Sequence, residues 1–119
     1  MKYACMIYTS EAANAEQFPA GSPEFNEMIA GYMAFGEEAG AAGVLIGGDA
    51  LEDTSTSTTV RVRNGDIGTT DGPFAETKEQ LGGSYFLECK DLDEAISWAA
   101  KIPGASHGCV EVRPVPDFG

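Results

Sequence analysis

Within nine residues the chain gathers Asp71, Glu76, Lys78 and Glu79 around Gly72-Pro73-Phe74 and just ahead of Gly82-Gly83. A carboxylate beside an apolar ring such as Phe74 is desolvated, which raises its proton affinity and suits it to general acid–base work. Lys78 could hold an anionic or enolate oxygen, and the glycine pair leaves bare backbone that a ligand can approach. Arg61 and Arg63 are the natural anion contacts in a chain with few cations, and Arg61 is the freer of the two. Its partner across the expected hairpin is Gly68, whereas Arg63 faces Asp66. The candidate site is therefore Asp71 as acid–base, with Arg61, Phe74, Glu76 and Lys78 around a substrate. Each of these residues also has a plainer reason to be present. Asp-Gly-Pro is turn chemistry, since Asp caps its own backbone, Gly accepts unusual φ and Pro fixes the next one, and charges on a loop are usually solvated.

Other reactive side chains point to less. His107, the one histidine, falls in Gly104-Ala105-Ser106-His107-Gly108 and reads as a solvent-facing loop residue. Asp49, Glu52 and Asp53 lack a recognised ligand spacing, and Asp91 and Asp93 are explained by helix capping, so no metal is expected. No P-loop, G-x-G-x-x-G, G-x-S-x-G or H-E-x-x-H occurs, which removes nucleotide, serine-hydrolase and zincin chemistry and leaves no cofactor indicated. Cys5, Cys89 and Cys109 are odd in number and widely spaced, and read as small buried hydrophobes in strands rather than as a disulfide framework or zinc cage.

Seven basic against 19 acidic residues, a net charge of −12, repel phosphate backbones and anionic membranes, so neither nucleic acid nor a membrane surface is an expected partner. The apolar stretch Tyr3 to Tyr8 is too short for a signal-peptide core, and no segment approaches the ~20 apolar residues of a membrane span. A cytoplasmic location follows as the expectation. With 119 residues, 43% of them hydrophobic, the chain is expected to form one domain, residues 1–119, with its own core.

The elements that would position the site follow from patterning. Lys2 to Tyr8 is a compact apolar run that suits a strand buried on both faces. Ser22-Pro23-Glu24 opens a helix, with a hydroxyl cap, a proline at the first position and an acid near the positive end. Phe25, Met28, Ile29, Tyr32, Met33, Gly36 and Ala39 are expected on its buried face. Gly43 stops it, and Val44-Leu45-Ile46 is a short strand that fades at Gly47-Gly48. Thr58 to Thr70 alternates around Asn64-Gly65, the signature of a two-residue type I′ hairpin that pairs Arg63 with Asp66 and Val62 with Ile67.

Beyond the Asp71–Phe74 loop, Ser84 to Cys89 is a strong strand. Asp91 and Glu94 have capping-box spacing for a second helix buried through Leu92, Ala95, Ile96, Ala99 and Ile102, with Trp98 outside that stripe, at its edge or in a subunit contact. Val110 and Val112 mark the last strand. Two strand–helix–strand halves joined by an inserted hairpin predict an α+β, ferredoxin-like antiparallel sheet with two helices on one face. The bare apolar face of such a sheet predicts a homodimer with sheets packed together.

The stretch Asp71-Gly72-Pro73-Phe74-Ala75-Glu76-Thr77-Lys78-Glu79-Gln80-Leu81-Gly82-Gly83 resembles the signature of the DGPF-motif proteins in the YCII-related family. The resemblance extends through the opening strand, Gly43-Val44-Leu45, Val60-Arg61-Val62-Arg63, Asp93-Glu94-Ala95-Ile96 and Glu111-Val112-Arg113-Pro114. It implies a dimeric α/β barrel with a pocket in each subunit. The site suggested for shorter YCII proteins is an Asp–His pair with the histidine near the start of the first helix. Here that region reads Pro23-Glu24-Phe25-Asn26-Glu27, so the pair does not carry over. Two functions stand side by side: a cofactor-free acid–base enzyme on a small organic molecule in a pocket between hairpin, DGPF loop and sheet, and a non-catalytic dimeric ligand sensor or scaffold.

Overall fold

Strand β1 (Lys2–Thr9) organises the molecule. Tyr3, Cys5, Ile7 and Thr9 alternate onto one face and are buried, while Ala4, Met6 and Tyr8 on the other face are only half-buried. The strand therefore has one fully buried face rather than two. In the computed structural model, which describes residues 1–119, β1 pairs antiparallel with β5 (Gln80–Glu88) on one side and β6 (Cys109–Pro114) on the other. Strand β2 (Leu45–Ala50) pairs antiparallel with β5, giving the sheet order β2-β5-β1-β6. The strand expected to fade at Gly47-Gly48 thus continues through both glycines. Gly48 makes this possible: its φ is +140°, and a Cβ there would lie 2.2 Å from the Ser84 carbonyl oxygen.

Three helices accompany the sheet. Helix α1 (Glu11–Gln17) occupies a stretch to which the sequence pattern assigns no element. It has no buried residue, hence no apolar stripe to announce it, and is held by a Ser10 side chain that accepts from the Ala13 N–H. Helix α2 (Pro23–Ala41) begins at the expected Ser22 cap and Pro23. Only Phe35 and Ala39 are buried along it, and Met33 is 64% exposed. Met28, Tyr32, Phe35 and Ala39 recur at one face, and Met33 lies about 100° around the helix from Tyr32. Phe35, absent from the expected stripe, is the main anchor, its ring centroid 4.8 Å from that of Tyr85 and tilted 54° to it.

Helix α3 (Leu92–Ala99) is capped by Asp91 as expected. Ala95, Ala99 and the following Ile102 are buried, whereas Leu92 and Ile96 are half exposed. Small alanines let α3 approach the sheet, and Trp98 packs on the core at 6.3 Å from Phe35 rather than standing outside it. Tyr3, Cys5, Ile7, Val44 and Leu87 complete this core with the helix residues, all on one face of the sheet.

The hairpin is as expected in detail. Strands β3 (Thr58–Arg63) and β4 (Asp66–Asp71) pair with Arg63 opposite Asp66, Val62 opposite Ile67 and Arg61 opposite Gly68. Asn64 and Gly65 take the positive φ of a type I′ turn, 53° and 80°. The two strands form their own sheet, and every residue from Val60 to Asp71 is exposed. At the root, the Gly72 N–H donates to the Ser57 carbonyl at 2.7 Å and the Thr59 hydroxyl to the Gly72 carbonyl at 2.8 Å.

The other face of the main sheet carries no helix. Ala4, Met6, Tyr8, Leu81 and Phe86 share it, as the pairs Ala4–Phe86 and Tyr8–Leu81 require. The molecule is correspondingly thin, 47 × 46 × 19 Å, with a radius of gyration of 16.2 Å, against about 13.5 Å for a compact chain of this length.

Candidate active site

The N-terminal half of α2 stands off the sheet and leaves a cavity of about 370 Å³, on the helix-covered face and on the N-terminal side of Phe35. Met28, Ile29 and Tyr32 come from α2, Ile7 and Thr9 from β1, Tyr85 from β5, and Asp49 to Asp53 from the end of β2 and the segment after it. Gly82 and Gly83, where the sequence leaves backbone free of side chains, do line this space.

The floor depends on Gly104. A Cβ there would fall 2.7 Å from Ile7 Cγ2 and 2.9 Å from the Tyr32 hydroxyl oxygen, so only glycine lets the Pro103–Ser106 turn close against both. That turn delivers His107. The imidazole is half-buried, lies 5.1 Å from the Phe18 ring at a 47° tilt, and lines the cavity. Its expected solvent-facing position is thus corrected: the turn after Pro103 folds back over Thr9 and takes His107 with it.

Helix α1 closes the end. Its Glu11 side chain accepts from the Thr54 N–H at 2.8 Å and from the Thr54 hydroxyl at 2.6 Å, and the Gln80 side-chain oxygen accepts from the Glu11 N–H at 2.8 Å. Asn14 donates to the Thr9 hydroxyl at 2.9 Å. These bonds tie α1, the 51–54 segment and the start of β5 into one wall.

Burial pushes the Tyr32 phenol above its ordinary range, with a hydrogen bond from the Gly104 backbone offsetting part of the effect, and burial alone pushes Tyr85 up. Both are therefore neutral hydroxyls at neutral pH. Glu11, Asp49, Glu52 and Asp53 all contribute to the lining, and no lysine or arginine does. The three ion pairs of the chain, the N-terminus with Glu88, Lys101 with Glu38 and Arg113 with Glu111, involve none of these carboxylates. Nor do they converge as a metal-ligand cluster.

Asp71, Arg61, Phe74, Glu76 and Lys78 are all exposed, and none of them lines the cavity. Asp71 ends β4 opposite Thr58, Arg61 sits on β3, and Phe74 is 81% exposed on the loop. The expected grouping of hairpin, DGPF loop and sheet around a pocket is thus not what one chain forms. The loop reaches the cavity only at its end, where Gln80 joins the lining and Glu79 lies 3.7 Å from the Cys109 thiol. Cys109 is exposed, unlike buried Cys5 and Cys89. Of the residues that form the cavity, Tyr32 was visible on the helical stripe, while Glu11 and Asn14 required recognition of the Ser10 cap.

An antiparallel sheet backed by helices, with a side-chain-lined cavity beneath the longest of them, defines a small α+β domain with an internal cavity. The chain belongs to the YCII-related domain family, whose match runs over residues 1–119. It is 36% identical over 121 residues to an uncharacterised protein of Rhizobium meliloti (strain 1021), covering 97% of this chain and 92% of that protein. A similar solved structure is 5-chloro-2-hydroxyhydroquinone dehydrochlorinase from Burkholderia phenoliruptrix AC1100, in complex with 2,5-dihydroxybenzoquinone. It superposes with a TM-score of 0.54 at 14% identity, covering 98% of this chain and 94% of that one, a likeness of fold.

Proposed function

We propose that the chain is a small-molecule-binding protein that works as a homodimer in the cytoplasm, with the cavity under α2 as its ligand site and His107 as the group placed for proton transfer. The cavity carries this reading. Its volume is in the range that holds small organic ligands, and it combines an apolar and aromatic wall with a few polar groups. An imidazole there can take a proton and return it. The fold neighbour holds a ring-sized ligand, which supports the capacity of this architecture and nothing about the chemistry here.

The sheet order β2-β5-β1-β6, with helices on one face, supports a ferredoxin-like subunit, and the uncovered Met6–Phe86 face supports a dimeric barrel closed by two sheets. In this reading the exposed β3–β4 hairpin is an arm, and Asp71-Gly72-Pro73-Phe74 forms its root. Asp71, Arg61 or Lys78 would meet a ligand only where a second copy brings an arm to a cavity.

Titrating isotope-labelled protein with a panel of small phenols, quinols and enols tests the site. Shifts centred on Tyr32, Tyr85 and His107, abolished by the cavity-filling Ile29→Trp, are expected. Shifts centred on Asp71 to Lys78 would overturn it in favour of the DGPF loop. For a ligand that is also turned over, His107→Gln should keep binding and lose turnover at least about a hundredfold. Binding without any turnover would mark a sensor.

A further inference from the structure

We propose that the cavity selects a small organic cation, an amine carried on an apolar or aromatic body, over carboxylates and phosphates. This rests on the cavity being the ligand site and adds the charge of the ligand. The cavity lining includes Glu11, Asp49, Glu52 and Asp53 and no lysine or arginine. Thr54 occupies the Glu11 oxygens with neutral donors, which leaves its charge in place. None of the four is in an ion pair, because the chain's three ion pairs lie elsewhere.

The charge of the whole chain, −12, adds to the field in this cavity. An anion entering would meet four carboxylates with no lysine or arginine and only His107 to offset them, whereas an ammonium group would be drawn in. The interior suits the rest of such a molecule. Ile7 and Met28 are apolar, and Tyr32 and Tyr85 add neutral aromatic rings, a kind of side chain with which cations associate. The carboxylates do not gather as a metal-ligand cluster, so the field favours a diffuse organic ammonium over a divalent ion that needs oxygens converging on one point.

Three molecules sharing one ring separate charge from shape: tyramine, 4-ethylphenol and 4-hydroxyphenylacetate. Titrations of the full chain, read by chemical shifts of Tyr32, Tyr85 and His107, should rank the amine about tenfold or more above the neutral phenol and the acid last. Added salt should narrow the gap, and Asp49→Asn/Asp53→Asn should bring the amine down to about the affinity of the phenol.

Equal affinity for all three within the cavity would overturn the charge preference and leave the cavity as the ligand site. Preference for the acid would overturn it too, and would point to Arg61 or Arg63 delivered by a second copy's arm. Shifts from none of the three also overturn the proposal, and the phenol, quinol and enol panel then decides separately whether the cavity is a site at all.

Discussion

Gly104 is where one hydrogen atom decides the floor of the cavity. Gly104→Ala places a methyl group 2.7 Å from Ile7 Cγ2 and 2.9 Å from the Tyr32 oxygen, an overpacking expected to cost about 1–3 kcal/mol. Urea unfolding measures it, and ligand shifts at Tyr32 should weaken in the same variant. Cys5 sets a pH limit. Burial, with a smaller contribution from Cys89, raises its thiol to about 11 from 9.0. The folded state thus keeps a proton that the unfolded chain releases, so its stabilisation is complete below pH 9 and is lost as pH rises towards 11. The full loss is about 2–3 kcal/mol. Thermal melts from pH 8 to 11 should show it, with a shallower decline in Cys5→Ala. At this scale the sequence was informative about types and poor about company. Asp71 and Phe74 stand out because turns demand unusual residues. His107 does not stand out, because nothing local says that its loop folds over Thr9.

The hairpin and α1 are opposite cases at the scale of elements. The β3–β4 register was legible because Asn64-Gly65 and strict alternation determine it locally, without any help from the rest of the molecule. Helix α1 was not legible, because a seven-residue helix with no buried side chain leaves only its Ser10 cap as a signal. Helix α2 lies between: its cap and proline located its start, while the choice of buried face turned on Phe35 against Met33, a distinction that the sheet makes. Removal of residues 58–71, with Ser57 joined to Gly72 through two glycines, should leave the far-ultraviolet spectrum and thermal midpoint of the remaining fold nearly unchanged. The arm shares no core with it, and its root residues are already hydrogen-bonded. A collapse of the midpoint would show that the arm supports the sheet.

For the whole molecule, thickness is the telling dimension. A chain 19 Å deep, with Met6, Tyr8 and Phe86 on a face that no helix covers, buries only 14 of its 119 residues, which is little for a single domain. A second copy on that face would supply the missing layer. Phe86→Lys should therefore shift sedimentation from dimer to monomer and lower the thermal midpoint. If the wild-type chain sediments as a monomer at micromolar concentration, the face-to-face assembly fails. The uncovered face was legible because two strand–helix–strand halves put their helices on one side of the sheet, whereas the cavity depends on how far one end of α2 lifts away, which no residue pattern records.

The bond between Gly72 and Ser57 also makes the arm a closed excursion, in which the chain leaves the body and returns to the same spot. The outline of the protein can therefore be redrawn there without disturbing its interior. A dye attached at Asn64→Cys, at the far tip, would act as a ruler held away from the body, and energy transfer between dyes on two copies would report how close the tips come.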